Sequence, residues 1–371
     1  IYHVRVRANN EALGITSNWT DYKEPILTLT RIIPKILYRV DEKDISENSV
    51  KVKWKPAEEY PVTGLTVWQE GEWGTVVDEQ HFELSESMVA AGEYEITGLS
   101  PRTSYYVALV DDNAVEGAEK YNTQQFKTGG MPSGAVVVED GLDLLNKIKE
   151  GMEDETKDQL IFQLKNGTDY YLTNTGQLGG TTGGVTLKKS IALLANPGER
   201  PTLYLYKGGF QISANATNIP EVEYFVVENV NIKEAIPAGG TSGADATRLL
   251  FIGKHNTGTD FVIDRFEVRN SDIALPASLL MMSQASDGLT TINKIRVENC
   301  LVTGNNDVAK QYGFIHAPYR GSNIWSDVAV TNCTFYDFYV SQGVFGKMDA
   351  GGLLSANSKI SVSNCTFYKW S

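Results

Sequence analysis

The chain has 371 residues, of which 42% are hydrophobic and 21% charged, and at roughly 150 residues per domain that length suggests two or three domains. Its 33 Lys and Arg against 46 Asp and Glu leave a formal charge of −13, which argues against a nucleic acid or an anionic membrane held by bulk electrostatics. No run approaches the eighteen apolar residues of a membrane-spanning helix, and three cysteines are too few for a dense disulfide framework.

Two short strands open the chain, in IYHVRVRANN and SNWTDYKEPILTLT. From residue 30 to 128 apolar positions alternate between frequent turns: Val50, Val52 and Trp54, then Leu65 and Val67, then Tyr94 and Ile96. Period two with such turns predicts a β-sandwich. In ITGLSPRTSYYVALV, Leu99, Pro101, Thr103 and Tyr105 have an L-x-P-x-T-x-Y spacing. This resembles the tyrosine corner of fibronectin type III domains, in which the tyrosine hydroxyl returns to the backbone upstream. The resemblance implies that Trp54 is the core tryptophan and that YNTQQFKT is the last strand. By the same comparison Tyr2 stands where Tyr105 stands, so residues 1–29 are expected to be the last strands of an earlier, truncated domain of this kind. A hairpin docked on the following domain is the alternative.

Residues 129–371 form the third part. After the linker TGGMPSG, a helix expected at about 140–152 places Leu142, Leu145, Ile148 and Met152 on one face. A motif then recurs with Asn229, Asn270, Asn299, Asn332 and Asn364, spaced 41, 29, 33 and 32 residues apart. A second strand type falls between them, in LLFIG, LLMMS, YGFIH and GVFGK. Such repeats, built from short strands, are coils of a solenoid. Coils about 4.8 Å apart let each asparagine pass amide hydrogen bonds to the next. Cys300, Cys333 and Cys365 each follow a ladder asparagine and are expected to stack as small internal fillers. Asn332 and Asn364 also form N-x-T sequons, which an inward ladder position would shield from glycosylation.

This region resembles the right-handed parallel β-helix of the pectate-lyase and chondroitinase-like superfamily. DQLIFQLKNGTDYYL is similar to the opening segment of such proteins, and VTLKKSIALLANPGERPTLYL to the coil after it. The resemblance implies an all-β fold whose preceding helix caps the open end of the solenoid. The sequence stops at CTFYKWS, directly on a ladder coil, so the β-helix is expected to be incomplete at its C-terminal end, with further chain or a partner covering the last coil.

Lyases of that superfamily use a Lys or Arg base near a carboxylate-bearing sugar, often with Ca²⁺ held by Asp or Glu. No D-x-D motif is present here, so no metal ligand is assigned and no cofactor is expected unless the chain is a lyase. Counting back sixteen residues from Asn270, Asn299 and Asn332 gives Lys254, Ser283 and His316, with Lys347 seventeen before Asn364. Arg248, His255, Tyr319 and Arg320 lie close by in sequence, and Trp325 falls in what reads as the loop YRGSNIWSD. Lys254 or His316 would be the catalytic base of a lyase, and the others would contact substrate. A polar column is equally what any solenoid shows where strands turn to solvent.

Tandem sandwiches followed by a β-helix resemble surface lipoproteins of glycan-degrading Gram-negative bacteria. The resemblance implies an extracellular, outer-membrane-anchored protein with a polysaccharide partner, an accessory to a glycan receptor and transporter rather than an enzyme. Polysaccharide lyase and structural adhesin are the alternatives.

Overall fold

The computed structural model describes residues 5–6, 9–10, 15–17, 20–21, 35–58, 60–70, 76–114, 119–172, 185–205, 208–213, 220–236, 247–253, 260–275, 278–282, 289–304, 313–317, 323–337, 345 and 358–368. The chain divides into two units, one of residues 1–40, 51–96 and 104–126, the other of residues 41–50, 97–103 and 127–371.

The first unit is antiparallel. Arg5–Val6 pairs with Thr20–Asp21 and Asn9–Asn10 with Ile15–Thr16, while Tyr2 lies outside the described residues. Ser104–Asp111 pairs with Gly64–Glu70 and Glu119–Lys120, and Gly64–Glu70 pairs with Val76–Glu83. Leu65 and Val67 alternate along one strand, and Tyr105, Val107 and Leu109 along the next. They are buried with Val52, Trp54, Ile96, Tyr121 and Phe126, because a pleated strand sends every second side chain to the same face. Tyr105 stacks on Phe126 with ring centroids 5.7 Å apart.

The second unit is a parallel β-solenoid of three sheets. The first has eight strands, running from Val136–Val138 through Gln159–Leu164, Lys189–Leu194, Glu221–Glu228, Phe261–Arg269, Thr290–Glu298 and Asn323–Thr331 to Lys359–Ser363. Among the described residues the second sheet has seven strands, from Asp169–Leu172 to Thr366–Tyr368, and the third has five, from Val185–Thr186 to Ile315–His316, with Phe345 bridging to Ile315. Each coil pairs in parallel with the next, so one interior position becomes a column. Ile191, Phe225, Phe266, Ile295 and Val328 are aligned by register, and each is 0% exposed. Burying an aliphatic or aromatic side chain contributes about 1.5–3 kcal/mol, and the column repeats that gain in every coil.

The bend from the first sheet to the second is made by the asparagines. Asn229, Asn270, Asn299, Asn332 and Asn364 all have positive φ, between 51° and 61°. Asparagine tolerates this left-handed region better than other residues with a side chain, and one such residue turns the chain within two positions. Asn270 Nδ2 donates to Asn229 Oδ1 at 3.0 Å, and Asn299 Nδ2 to Asn270 Oδ1 at 3.1 Å. At the first rung Asn229 Nδ2 donates to the carbonyl of Ala195 at 2.8 Å. The backbone bonds the other way, Asn270 N to Glu298 O at 2.9 Å and Asn299 N to Thr331 O at 3.0 Å. Asn229 is buried, whereas Asn332 and Asn364 are exposed. The expected shielding of those two sequons by burial is therefore absent.

The helix runs over Leu144–Glu153 and buries Leu144, Leu145, Ile148, Gly151 and Met152. Leu142, assigned to its apolar face from sequence, precedes the helix and is 48% exposed; Leu144 takes the face instead. Just before Leu142 the chain makes a close approach at Gly141, where a Cβ would fall 1.8 Å from the carbonyl oxygen of Asp169. On the outer side of the first sheet, Met131 and Ala135 pack against Ile161, Ala192, Leu194, Tyr224 and Val226. Nearby Glu228 accepts from Arg102 Nη2 at 2.7 Å and Lys127 Nζ at 2.8 Å. Burial pushes its carboxyl up, but Lys127 and Arg102 outweigh this and hold it below the usual carboxylate range. Hydrogen bonds to a charged group are worth about 1.5–3 kcal/mol, and Glu228 makes two, so Glu228→Ala is expected to lower the urea midpoint more than a surface Glu→Ala such as Glu150→Ala.

The asparagine bend yields a second expectation. Asn299→Gly keeps the left-handed backbone and loses the ladder bond, a net cost of about 1 kcal/mol. Asn299→Ala loses the bond and also strains the backbone, adding roughly 1–2 kcal/mol. Urea unfolding should rank wild type above Asn299→Gly above Asn299→Ala, and equal midpoints for the two variants would remove backbone strain from the account.

Candidate functional site

Of the polar column read from sequence, His316 alone is described, and it falls on the third sheet, on the side facing away from the core. Leu250, Leu280 and Ile315 share one register position there and point inward with 0% exposure. Their successors, Phe251, Met281 and His316, are aligned on the opposite face with Gln211 one coil earlier. His316 therefore pairs with Met281, which pairs in turn with Phe251. Leu250, Leu280 and Ile315 stand 20, 19 and 17 residues ahead of Asn270, Asn299 and Asn332, so a fixed offset of sixteen slips out of register. Connections between strands can change length without disturbing the sheets they join. Lys254, His255, Ser283, Tyr319, Arg320 and Lys347 lie outside the described residues.

His316 is 1% exposed. Its Nδ1 accepts from the backbone N–H of Gly313 at 3.3 Å, which places the proton of the neutral ring on Nε2. Burial, with Arg248 beside it, pushes the imidazole down to about 4. A general base needs an accessible lone pair within reach of substrate, and here that lone pair is already engaged. The base role expected of His316 is not the one its surroundings support.

Trp325 lies in the strand Asn323–Thr331, in register with Ile292. It is 1% exposed and its Nε1 donates to Met282 Sδ at 2.9 Å. The segment that reads as a loop is a core strand, so Trp325 offers no flat face to a sugar. Trp68 is different. It is half-buried and stacks on Tyr106 at 5.8 Å, and Lys120 Nζ sits 4.4 Å above its ring.

Arg248 keeps its place near the outward face. Its guanidinium lies over the Phe251 ring, 5.0 Å from the centroid, and both residues are half-buried. In the preceding coil, half-buried Gln211 donates through Nε2 to Ser213 Oγ at 2.8 Å. Two glycines permit the close packing of these coils. A Cβ on Gly209 would fall 1.9 Å from the Arg248 carbonyl oxygen, and one on Gly253 would fall 3.0 Å from Ser213 Oγ. The set comprises a guanidinium, an aromatic face, an amide and a hydroxyl: one group for a carboxylate, one for the apolar face of a ring and two for hydroxyls. Gln211, Ser213 and Phe251 escaped the sequence reading, although the alternation in FQIS and LFIG already sends Gln211 and Phe251 to the face opposite the core.

Three carboxylates of the solenoid have structural partners. Asp260 Oδ1 accepts from Leu289 N at 3.0 Å, Asp264 Oδ1 accepts from Asn293 Nδ2 at 3.4 Å, and Asp327 pairs with Arg296. Among the described residues no three His, Cys, Asp or Glu side chains gather as metal ligands, and no helix is long and apolar enough to cross a membrane.

His316 sets a pH dependence. Its folded value lies below the usual 6.5, so between about 6.5 and 4 the unfolded chain binds the extra proton. Stability is then full above pH 6.5 and falls as the pH drops toward 4, by up to ~1.4 kcal/mol per pH unit. Urea unfolding from pH 7 to pH 4 should show a shallower loss in His316→Gln than in wild type; parallel curves would show that His316 does not titrate in this way.

No protein-family model matches the chain. A structure of a family 28 exopolygalacturonase from Yersinia enterocolitica aligns over 91% of this chain and 96% of its own, at 12% identity and a TM-score of 0.18. Likeness at that level adds nothing to the parallel register described above, on which the solenoid assignment rests.

Proposed function

We propose that the chain is a polysaccharide-binding protein of the cell surface, with the half-buried set Arg248, Phe251, Gln211 and Ser213 along the third sheet as its binding surface. Arg248 over Phe251 is the observation that carries this. An arginine braced on an aromatic ring, beside a Gln and a Ser, suits a sugar acid: the guanidinium takes the carboxylate while amide and hydroxyl meet the ring hydroxyls. The fibronectin type III-like reading of residues 30–128, the right-handed winding of the solenoid and the capping role of the helix Leu144–Glu153 belong to the same proposal. So do outer-membrane anchoring and attachment to a glycan receptor and transporter. The winding is supported by the strong preference of parallel crossovers for the right hand, and the capping role by the five residues that the helix buries.

The engaged lone pair of His316 weighs against His316 as the base of a lyase, and Lys254, the other candidate base, lies outside the described residues. The test is affinity electrophoresis of the full chain through gels carrying polygalacturonate, alginate or a neutral glucan, run beside an ultraviolet assay for unsaturated uronides. Retention in the acidic gels is expected without product. Arg248→Ala should weaken it about tenfold or more, since a hydrogen bond to a charged group is worth about 1.5–3 kcal/mol. Product formation would establish the lyase. Absence of retention in every gel would leave the structural adhesin.

A further inference from the structure

Cys300, Cys333 and Cys365 occupy one position in three consecutive coils, each directly after a left-handed asparagine. Cys300 and Cys333 are buried and Cys365 is half-buried; all three are free thiols. The backbone fixes their spacing. Thr334 N donates to Cys300 O at 2.9 Å and Thr366 N to Cys333 O at 2.9 Å, so neighbouring cysteines stand one strand spacing apart, about 4.8 Å. Each thiol lies near the carbonyl two residues back, at 3.2 Å for Cys300 and 3.3 Å for Cys333 and Cys365. Ser271, one coil earlier, places its hydroxyl 2.9 Å from the equivalent carbonyl.

Cys300, first among its neighbours, draws the Cys333 thiol below its ordinary value, while burial, together with Cys333, pushes Cys300 well up. A disulfide requires an S–S distance of about 2.05 Å and Cβ atoms about 3.5–4.5 Å apart, which two in-register parallel coils reach only by distorting. A linear sulfur–metal–sulfur unit instead spans about 4.6 Å, twice a metal–thiolate bond of about 2.3 Å, and that span matches the coil repeat. Zinc would need four ligands, and no third His, Cys, Asp or Glu joins any pair among the described residues.

We infer that the Cys300–Cys333–Cys365 column is a site for a soft, two-coordinate monovalent cation of the Cu⁺ or Ag⁺ class, held in line between Cys333 and one neighbour. Thiolate donors select such ions. Binding converts one cation and two thiols into a thiolate–metal–thiol unit and releases one proton, so the buried unit carries no net charge, which avoids the cost of an uncompensated ion. Cys333 belongs to both possible pairs.

The experiment is Ag⁺ titration of the reduced full chain, read by native mass spectrometry and thermal unfolding. One Ag⁺ per folded chain is expected, with Tm raised, because a ligand held by the native state stabilises it. Cys333→Ser and Cys333→Val should each weaken uptake by at least a hundredfold, since Cys300 and Cys365 lie two coils apart, about 9.6 Å. Both variants are expected to fold, because Ser271 and Val230 already fill the equivalent position in earlier coils. At least one of Cys300→Ala and Cys365→Ala should keep the site. Uptake undiminished in the Cys333 variants, loss in both end variants, or a Tm lowered by Ag⁺ would each overturn the inference. None of these outcomes depends on polysaccharide binding.

Discussion

From Asn229 onward the second unit depends on one backbone event, a single residue with positive φ at the corner between the first and second sheets, whereas the two earlier corners turn with Gly167 and Gly198. That residue must turn the chain sharply, remain soluble in its own coil and leave the next coil in register. Asparagine meets all three demands. Its left-handed backbone makes the corner, its N–H bonds forward to the following coil, and its side-chain amide bonds back to the preceding one. Glycine would supply the corner without the ladder, and a β-branched residue would supply neither. Because the corner repeats, the strands on either side are held in parallel register, and interior positions become columns that run through consecutive coils.

Columns explain both the packing and the chemistry of this protein. Inside, stacked aliphatic and aromatic residues share one cross-section, so a residue type allowed at a position in one coil is allowed in the next. Val230, Ser271 and the three cysteines are five solutions to one space after the corner, and all are small. Outside, the same rule gathers residues distant in sequence. Gln211, Phe251, Met281 and His316 become neighbours only because each lies one residue past an inward-pointing partner. Function on such a scaffold is set by which side chains the outward columns carry and by how far the connections between strands cover them.

The corner and the interior were legible in the sequence because both are local. The asparagine spacing, the apolar alternation on either side and the cysteine after the corner are visible within ten residues. The outward site was only half legible. Arg248 was picked out, but His316 was matched to Ser283 and Lys254 through a constant offset that the connections do not keep. Trp325 looked like a loop aromatic because Arg320, Gly321 and Ser322 precede it, yet it belongs to the longest class of strand in the solenoid. Its ring occupies the column that Ile292 fills one coil earlier.

The sequence by itself determined the class of fold, since period two, a repeat of about thirty residues and a residue suited to positive φ leave few ways to bury the apolar face. Only the tertiary structure decided which polar residues face solvent. Burial of His316 and of Trp325 arises from contacts between coils some thirty residues or more apart, and no local pattern encodes the length of the connections that set those contacts. The same physics decided that the outer asparagines, Asn332 and Asn364, are exposed while Asn229 is buried: the ladder residue is the same, and its surroundings change from coil to coil.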